Sequence, residues 1–564
     1  MAFKAAIFDI GGVLLKSPIH YLKQFATDNG LPEKFLVNVL RKDAPDNAFC
    51  HAEKGTISLS QLVEALRKDF EREAQVNSIQ LPSSFSVEEM VQGLHKQQAN
   101  KEVINAVINL KNHGFRLGVL TNNFLYDLPS VARDYRDSNF LVSMRFLFDE
   151  VMESCRLGMR KPDTEIYRLA CQRMGFAPQE TIFVDDLQGN LRNAAKVGIQ
   201  TVWFQDVQSA LARLQELTGV DVFKTPVPVS AEPDRLSHSY ITTKDGTRLH
   251  YVDVGEGPVV ILCHGFPECW FSWRKQIPAL VLAGYRVIVP DQRGYGESSA
   301  PPDVKDYTLD RISSDLAEIM DTLSIMKATF VGHDWGGSVV WRMALKHPER
   351  TRGVVGVNTA YFPPNPKSNP LEKMYKRSGV FDYQLYFQTP GVAEAELEKD
   401  IEKSIKYFFR AARKEDYFPG LEKLSVANVR ARGGVLVGVP DNISRSSMLT
   451  AKDLAYYVKQ YKTSGFRGPL NWYRNVEENW RDSLRYVGRK IFAPSLMVTA
   501  EKDRVLTPES SKFMEPWVPN LSRLHIEDCG HWTQMERPRE LNEGLIKWLN
   551  DVHRTTKASV TSRL

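Results

Sequence analysis

The sequence is poor in cysteine, with six residues in a chain of 564. None of the six forms a CxxC pair, and their spacing gives no regular framework. The sequence therefore does not indicate a disulfide-stapled extracellular domain, and scattered buried thiols in a reducing compartment fit it best. The six are Cys50, Cys155, Cys171, Cys263, Cys269 and Cys529.

The chain also lacks a strong charge imbalance and a long apolar run. Its 73 basic and 68 acidic residues give a net charge of +5, which is too balanced to indicate a nucleic-acid partner. No apolar run is long enough to predict a membrane span. The run 5–15 has the hydropathy of a signal segment, but Asp9 interrupts it and no small-residue cleavage site follows. We interpret that run as a buried strand.

The length predicts more than one domain, since 564 residues exceed what a single hydrophobic core usually supports. Residues 226–233 contain three prolines and no apolar period, which predicts an extended, semi-rigid linker. We therefore divide the chain into a domain over 1–224, a linker over 225–236 and a domain over 237–564. Strands alternating with helices in both halves predict the α/β class.

Polar motifs follow four predicted strands or loops of the first half. Asp9 ends the first strand, Thr121-Asn122 end the second, Lys161 stands before a proline, and Asp185 ends a later strand. Ligands bind at the carboxyl ends of parallel strands in α/β folds. Taken singly, each motif has a structural explanation, such as a helix N-cap at Asp185. The residues from about 17 to 98 look helical and predict a small cap.

This order of motifs resembles the haloacid-dehalogenase-like phosphatase superfamily, with a Rossmann-like sheet. The resemblance implies that Asp9 attacks phosphorus, that phosphoryl oxygens are held by three residues, and that Mg²⁺ is bound by two carboxylates and a backbone carbonyl. The phosphate-binding residues would be Thr121, Asn122 and Lys161, and the Mg²⁺ ligands Asp9, Gly11 and Asp185.

Gly11 departs from the superfamily pattern, which usually has a second aspartate two residues after the nucleophile. That carboxyl protonates the leaving group, and a glycine cannot. We therefore expect a weak Mg²⁺-dependent phosphatase, with lipid phosphates as candidate substrates. A non-catalytic scaffold remains the alternative for this half.

In the second half, Asp334 stands in the motif G-x-D-x-G between a predicted strand, 328–331, and a predicted helix, 338–346. In nucleophile elbows, closely spaced glycines permit a strained turn that projects one side chain above the sheet. A carboxylate in that position can attack carbon directly. A Gly-rich turn with a solvated aspartate is the simpler alternative.

Two later residues favour catalysis at Asp334. Asp503 follows the predicted strand 495–499, and His531 follows the predicted strand 524–528. The order nucleophile, acid, histidine is that of the α/β-hydrolase fold. The backbone N–H groups of Phe266 and Trp335 would form the oxyanion hole.

The motifs H-G-F-P at 264–267, G-H-D-W-G-G at 332–337, N-W-Y-R at 471–474 and D-C-G-H-W at 528–532 resemble soluble epoxide hydrolases. With the phosphatase-like half in front, the layout resembles the vertebrate bifunctional family. The resemblance implies that lipophilic epoxides, such as epoxy fatty acids, become vicinal diols through an ester on Asp334. Tyr383 and Tyr473, in a helical lid over about 362–486, would donate protons. It also implies a homodimer and no cofactor for this half.

The other enzyme considered is a haloalkane dehalogenase, which also carries an Asp-Trp elbow. That chemistry holds the halide with donors such as an asparagine at the position of Phe266, so the phenylalanine disfavours it. Residues 424–440 match the epoxide hydrolases poorly, which leaves the shape of the lid open.

The chain ends in Ser562-Arg563-Leu564, a variant of the S-K-L peroxisomal address. We expect a polar, accessible tail and residence in both cytoplasm and peroxisome.

Overall fold

The computed structural model describes residues 3–95, 97–127, 146–377 and 379–561. The chain forms two compact units, Met1–Val229 and Ser230–Leu564. The division lies within the proline-rich segment 225–236. The carbonyl of Val227 accepts a 2.9 Å hydrogen bond from the Asn112 side chain, and the Ala231 amide donates a 2.7 Å bond to the Arg274 carbonyl. Each end of the segment is thus held by its own unit.

The first unit contains a five-stranded sheet in which every pairing is parallel. Its order is β3-β2-β1-β4-β5, and the central strand is buried along its whole length. Strands covered on both faces are apolar throughout, which explains the continuous run that precedes Asp9. The strands are β1 Ala5–Phe8, β2 Arg116–Thr121, β3 Glu150–Glu153, β4 Thr181–Asp185 and β5 Gln200–Trp203.

Helices of this unit form the sheet's flanking layers and a separate cap. The cap has its own hydrophobic core, which includes Leu36, Leu62 and Phe70. The core against the sheet includes Ile166 and Phe183. The helices are Pro18–Asp28, Phe35–Arg41, Ala48–Glu53, Leu59–Val76, Val87–His95, Lys101–Asn112, Ser154–Leu157, Thr164–Met174, Gln188–Val197 and Val207–Thr218, with a 3-10 turn at Pro178–Glu180.

The second unit contains an eight-stranded sheet of order β13-β12-β11-β10-β8-β9-β7-β6. The pairs β6–β7 and β7–β9 are antiparallel and the others are parallel. The strands are β6 His238–Thr242, β7 Arg248–Val254, β8 Val259–Cys263, β9 Arg286–Pro290, β10 Ala328–His333, β11 Thr351–Val357, β12 Ser495–Ala500 and β13 Leu521–Ile526.

Helices flank this sheet and form a long insertion between β11 and β12. The sheet-flanking helices are Ile277–Leu282, Leu309–Thr322, Trp335–Lys346, Thr533–Glu536 and Pro538–Thr561. The insertion contains Pro370–Lys376, Asp382–Tyr386, Val392–Leu397, Ile401–Phe408, Val429–Arg432, Ala451–Ser464, Arg467–Arg474 and Val476–Ser483. Short 3-10 turns lie at Pro233–Arg235, Trp270–Trp273, Val304–Tyr307, Pro348–Arg350, Gly379–Phe381, Lys414–Asp416, Leu421–Lys423, Val426–Asn428, Leu484–Tyr486 and Pro508–Ser511. The predicted α/β class, with a helical cap and a helical insertion, is confirmed.

Several predicted boundaries were wrong. The first buried strand ends at Phe8, not at 15, and β10 ends at His333, not at 331. The strand β13 begins at Leu521, not at 524. The last strand ends at Ile526, not at 528, because Asp528 has a φ of +48°, which breaks the extended backbone. The helix after Asp334 begins at Trp335 rather than at 338. Its first-turn residue Gly336 packs directly on the Cys263 carbonyl, where a side chain would collide. Gly336 therefore permits close packing of the helix on the strand as well as the turn.

All six cysteines are free and buried, as the sequence predicted. Within the described ranges, each helix is either too short or too polar to cross a membrane. The predicted targeting tripeptide 562–564 lies outside the described residues.

Candidate functional site

The turn between β10 and its helix places Asp334 at φ +51° and ψ −122°. This conformation is rare and strained for any residue with a side chain. Gly265 and Gly332 make it possible, because a Cβ on the first would collide with the Asp334 side chain and one on the second with the Gly336 carbonyl. The turn therefore has the geometry of a nucleophile elbow.

Two backbone N–H groups hold the Asp334 carboxylate. The Phe266 amide donates a 2.9 Å hydrogen bond to Oδ1, and the Trp335 amide donates to the same carboxylate. Burial raises the pKa of Asp334, although the neighbouring histidines and these amides oppose the rise. The predicted oxyanion-hole amides thus already point at a charged oxygen.

His531 connects Asp334 to Asp503. Its Nδ1 lies 2.8 Å from Asp503 Oδ2, and its Nε2 lies 3.9 Å from Asp334 Oδ2. Burial favours the neutral ring, but the charges of Asp503 and Asp334 outweigh it and raise the pKa of His531 to about 9. The resting site therefore holds an imidazolium between two carboxylates.

Asp503 is fixed as a carboxylate by several donors. The Val505 and Leu506 amides each donate a 2.9 Å hydrogen bond to Oδ1, and Asn358 donates a 2.8 Å bond to Oδ2. Burial opposes ionisation, yet His531 and these donors hold the pKa of Asp503 well below its usual range. Asp503 can therefore orient His531 without taking its proton.

Tyr383 and Tyr473 lie together on the insertion, beside the elbow. Their ring centroids are 5.8 Å apart, and the Tyr473 ring stands 5.1 Å from that of Trp335, edge to face. Burial and the charge of Asp334 raise the pKa of Tyr383 far above 10, and burial, Tyr383 and Asp334 raise that of Tyr473 in the same way. Both phenols therefore stay protonated and can donate a hydrogen bond.

The divergent segment 424–440 contacts the helix that carries Tyr383. Arg430 donates from Nε to Asp382 Oδ1 at 2.7 Å and from its amide to Oδ2 at 2.9 Å. Asp382 is the residue before Tyr383. The segment thus anchors the start of that helix.

A buried polar network below the elbow was missed by the sequence analysis. Glu268 accepts a 2.6 Å bond from the Gly265 amide and lies 2.9 Å from His333 Nδ1. His333 Nε2 in turn lies 2.7 Å from the His531 carbonyl. The network joins the Phe266 loop, the elbow and the histidine loop. His333 lies within the motif 332–337 and Glu268 directly follows the motif 264–267, but nothing in the sequence pairs them.

In the first unit, Lys161 lies between two carboxylates. Its Nζ is 2.8 Å from Asp9 Oδ1 and 2.8 Å from Asp185 Oδ2. Burial favours a neutral amine, but both carboxylates outweigh it and raise the pKa of Lys161 to about 12. Burial, with repulsion from Asp185 and Asp186, raises the pKa of Asp9 to about 7 despite Lys161. The fold therefore brings together Asp9, Lys161 and Asp185, which the sequence analysis had predicted for this site.

Asp186 joins this cluster and was not among the predicted ligands. Ligand oxygens of Asp9, Asp185 and Asp186 all lie within 4.8 Å of one another. Burial and the charge of Asp185 raise the pKa of Asp186 to about 6. Clustered carboxylate oxygens are the donors that Mg²⁺ prefers, so these residues fit that ion. The paired aspartates were a signal that could have identified Asp186.

The predicted phosphate-binding residues lie at the same edge of the sheet. Thr121 ends β2 and is buried. Asn122 accepts a 2.9 Å bond from the Lys161 amide and donates a 3.0 Å bond to the Lys161 carbonyl. Asn122 therefore positions the backbone of Lys161. A direct phosphate contact from Thr121 or Asn122 stays a prediction.

Family models match both units. A model described as alpha/beta hydrolase fold matches residues 258–538, and one described as haloacid dehalogenase-like hydrolase matches residues 3–198.

Similar proteins extend over the whole chain. The chain is 45% identical to a bifunctional epoxide hydrolase 2 of Sus scrofa over 97% of its own length and 98% of that protein. It is 43% identical to the protein of the same name from Rattus norvegicus over 100% of both. Among solved structures, epoxide hydrolase A from Mycobacterium thermoresistibile is 37% identical with a TM-score of 0.50, covering 56% of this chain and 98% of that one.

Proposed function

The chain belongs to the bifunctional epoxide hydrolase family, and from this we propose that its second unit hydrolyses epoxides to vicinal diols through an ester on Asp334. One observation carries the proposal: a carboxylate stands at an elbow with Oδ1 bound by a backbone N–H and Oδ2 facing His531. A carboxylate placed in this way can serve as a nucleophile and afterwards be regenerated.

In the first step, Asp334 Oδ2 attacks an epoxide carbon and the carbon–oxygen bond of the ring breaks. The epoxide oxygen leaves as an alkoxide and needs a proton. Tyr383 and Tyr473 stay protonated beside Asp334 because burial and its charge raise the pKa of both phenols. They can therefore supply the hydrogen bonds and the proton that ring opening requires. The phenolate that remains is reprotonated at the expense of the His531 imidazolium, which leaves His531 neutral for the second step.

In the second step, water attacks Cγ of the Asp334 ester while His531 accepts the proton of that water. The negative charge develops on Oδ1, which accepts from the Phe266 amide, and the Trp335 amide, which donates to the same carboxylate, adds to its stabilisation. The Cγ–Oδ2 bond then breaks, and the departing alkoxide takes the proton that His531 accepted, which gives the diol. The hydrogen that the water leaves on the new Asp334 carboxyl passes to His531 and restores the resting pair of carboxylate and imidazolium. Esterification removes the negative charge of Asp334, which is one cause of the high pKa of His531. Esterification therefore lowers the pKa of His531, so that a larger fraction of the rings is neutral and able to accept a proton.

The substrates we propose are lipophilic epoxides, including epoxy fatty acids. The Phe266 ring packs at 5.3 Å from Tyr473 and at 5.8 Å from Phe387. With Trp335 beside Tyr473, the surroundings of the reacting atoms are mainly aromatic, which favours apolar substrates. A haloalkane dehalogenase would need a donor such as a side-chain amide to hold the halide, and this chain has Phe266 at that position.

The decisive experiment is a single turnover in ¹⁸O-water with protein in excess over epoxide. Water attacks the ester carbonyl, so the new oxygen of the first diol comes from Asp334 and the ¹⁸O remains in the protein. Asp334→Ala should abolish turnover, and it is a safer control than Asp334→Asn, which can regain activity by deamidation. A diol fully labelled in the first turnover would disprove the ester, and release of halide from a haloalkane would favour the dehalogenase.

For the first unit we propose a weak Mg²⁺-dependent phosphatase that acts on phosphate monoesters, lipid phosphates among them. Asp9, Asp185 and Asp186 would hold the ion, with the Gly11 carbonyl as a further ligand. The ion would supply positive charge against the phosphate. Asp9 would attack phosphorus, and Lys161 would offset the charge of the phosphoryl oxygens. Gly11 offers no carboxyl to protonate the leaving group, so a non-catalytic role for this unit is the alternative.

We also propose that the protein forms a homodimer and occupies both cytoplasm and peroxisome. The resemblance of the two-domain layout to the bifunctional family implies the first proposal, and the terminal sequence Ser562-Arg563-Leu564 supports the second. Sedimentation at micromolar concentration should give the mass of a dimer, and a monomer would contradict it.

A further inference from the structure

Two histidine rings face each other at the edge of the second sheet, away from the elbow. His238 lies on β6 and His250 on β7, and their rings are stacked with centroids 5.0 Å apart. His238 Nδ1 and His250 Nε2 are separated by 2.8 Å. A carboxylate oxygen of Glu297, from the loop after β9, completes a group whose ligand atoms all lie within 4.8 Å of one another.

The protonation of His250 is set by Asp291. His250 Nδ1 lies 2.8 Å from Asp291 Oδ2, and both side chains are completely buried. The Glu297 amide donates a 3.0 Å bond to the same oxygen, and the Trp270 amide donates a 2.8 Å bond to Oδ1. A carboxylate with this many donors is ionised and only accepts. His250 Nδ1 therefore carries a hydrogen, and in the neutral ring Nε2 carries a lone pair.

The protonation of His238 follows in the same way. Its Nε2 lies 3.0 Å from the Pro233 carbonyl, which can only accept. His238 Nε2 therefore carries a hydrogen, and in the neutral ring Nδ1 carries a lone pair. Two neutral rings would thus direct lone pairs at each other across 2.8 Å. Such a contact is stable only when a cation relieves the repulsion. The cation is either a proton shared between the two nitrogens or a metal ion bound beside them.

We propose that His238, His250 and Glu297 bind one divalent transition-metal ion of the zinc class. Two imidazole nitrogens and one carboxylate oxygen form a ligand set that zinc takes in proteins, with a fourth position for water. Magnesium is a poor candidate, since it prefers oxygen donors. The ion would replace the repulsion between the two lone pairs with two coordinate bonds.

The three ligand side chains have the hydrogen-bond partners expected at a metal centre. Metal-bound histidines usually donate their second N–H to a carboxylate or to a backbone carbonyl, which fixes the ring and its tautomer. Asp291 does this for His250, and the Pro233 carbonyl does it for His238. The Tyr240 hydroxyl donates to Glu297 Oε2. All three ligands therefore have an outer partner.

The site would join three separate parts of the chain. The β6–β7 hairpin supplies both histidines, the loop after β9 supplies Glu297, and the Pro233–Arg235 turn holds His238 from outside. Since an ion that binds only the folded chain stabilises it by mass action, the proposed role is to fasten this hairpin to the sheet. The proposal does not depend on the epoxide chemistry at Asp334.

The test is a zinc titration of the full-length protein after removal of metals with a chelator. Excess Mg²⁺ is present throughout, so that the carboxylate cluster of Asp9 is occupied. Wild type should bind one equivalent of Zn²⁺ that His238→Ala lacks, and its melting temperature should rise with Zn²⁺. X-ray absorption of the zinc-loaded protein should give two imidazole nitrogens at about 2.0–2.1 Å.

Two further variants keep the test decisive. Glu297→Gln should bind Zn²⁺ at least about 10-fold more weakly, because it loses a charged ligand. His525→Ala removes an exposed histidine from β13 and should bind Zn²⁺ as wild type does. Circular dichroism and epoxide turnover, which these variants should retain, check that each one folds.

Equal zinc stoichiometry and affinity in wild type, His238→Ala and Glu297→Gln would overturn the proposal. Absence of any zinc equivalent in wild type under excess Mg²⁺ would overturn it as well, and would assign a shared proton to the pair instead.

Discussion

His531 Nε2 lies 3.9 Å from Asp334 Oδ2, while Nδ1 of the same ring lies 2.8 Å from Asp503. The first distance is too long for a hydrogen bond, and the second is an ordinary hydrogen-bond distance. The ring is thus held firmly by Asp503 and only loosely by Asp334. This geometry leaves Oδ2 free to attack carbon and keeps a base close to the ester that forms.

Replacing the base should trap the ester. His531→Gln keeps Asp334 and both tyrosines, so ring opening should proceed while ester hydrolysis slows by about 10²- to 10⁴-fold. Mass spectrometry of the intact protein should then show one bound epoxide per chain. The variant that also carries Asp334→Ala should show no adduct. If His531→Gln stays unmodified while the epoxide is consumed, water attacks the epoxide directly.

The pKa of His531 should fall when Asp334 is esterified. The charges of Asp503 and Asp334 raise it to about 9 in the resting protein, and esterification removes the second charge. Since His531 acts as a base only when neutral, ester hydrolysis should be lost as pH falls through a pKa below 9. The pH dependence of kcat under conditions where hydrolysis limits turnover measures that value.

The control is a direct titration of His531 by NMR. Asp334→Ala, which also lacks the charge, should show a lower His531 pKa than wild type. Equal values in the two proteins, or an inflection of hydrolysis at 9 or above, would contradict this account of the base.

The two lid phenols should act in ring opening alone. Tyr383→Phe combined with Tyr473→Phe should slow formation of the ester by at least about 10²-fold, because general acid help of that size is lost. Hydrolysis of an ester already formed should be nearly unchanged. Stopped-flow single turnovers separate the two rates. Tyr486→Phe, a buried lid tyrosine that packs on Arg342, is the matched control and should behave as wild type.

Gly11→Asp should raise the Mg²⁺-dependent phosphatase activity of the first unit. A carboxyl at this position could protonate the leaving alkoxide, and such help is worth about 10²- to 10⁴-fold, or roughly 3 to 5 kcal/mol of barrier. The gain should be larger for an alkyl lipid phosphate than for an aryl phosphate, whose leaving group needs less help. Turnover of both substrates by wild type, Gly11→Asp and Asp9→Asn measures the effect.

The structure adds a control to that experiment. A Cβ at Gly11 would lie 3.2 Å from Pro18 Cγ, so the new side chain needs the proline to yield by a few tenths of an ångström. Gly11→Asp should therefore be repeated with Pro18→Ala, which removes the tight contact. Brisk wild-type hydrolysis that depends on Asp9 but gains nothing from either form of Gly11→Asp would show that another acid serves this site.

The terminal tripeptide should direct part of the protein to peroxisomes. A fluorescent protein that ends in residues 554–564 should divide between cytoplasm and peroxisome, and deleting Ser562-Arg563-Leu564 should return it to the cytoplasm. A fusion that stays wholly cytoplasmic with the tripeptide present would refute the proposal.

The sequence by itself determined the features that depend on neighbours along the chain. The strand before Asp334, the close glycines around it and the order Asp334, Asp503, His531 are local or sequential signals, and they were sufficient to predict the α/β class and the triad. The buried strand before Asp9 could also be predicted from the sequence, because a strand covered on both faces is apolar throughout.

Only the tertiary structure decided which distant polar groups meet. Glu268 and His333 are 65 residues apart in the chain, and Glu297 approaches His238 and His250 from a loop outside their hairpin, so no sequence period reveals these groups. Asp186 joins Asp9 because β1 and β4 are neighbours in the sheet, and Tyr383 lies near Tyr473 because two lid helices pack together. Burial then shifts the pKa values of these groups, and burial is a property of the folded chain rather than of any residue in it.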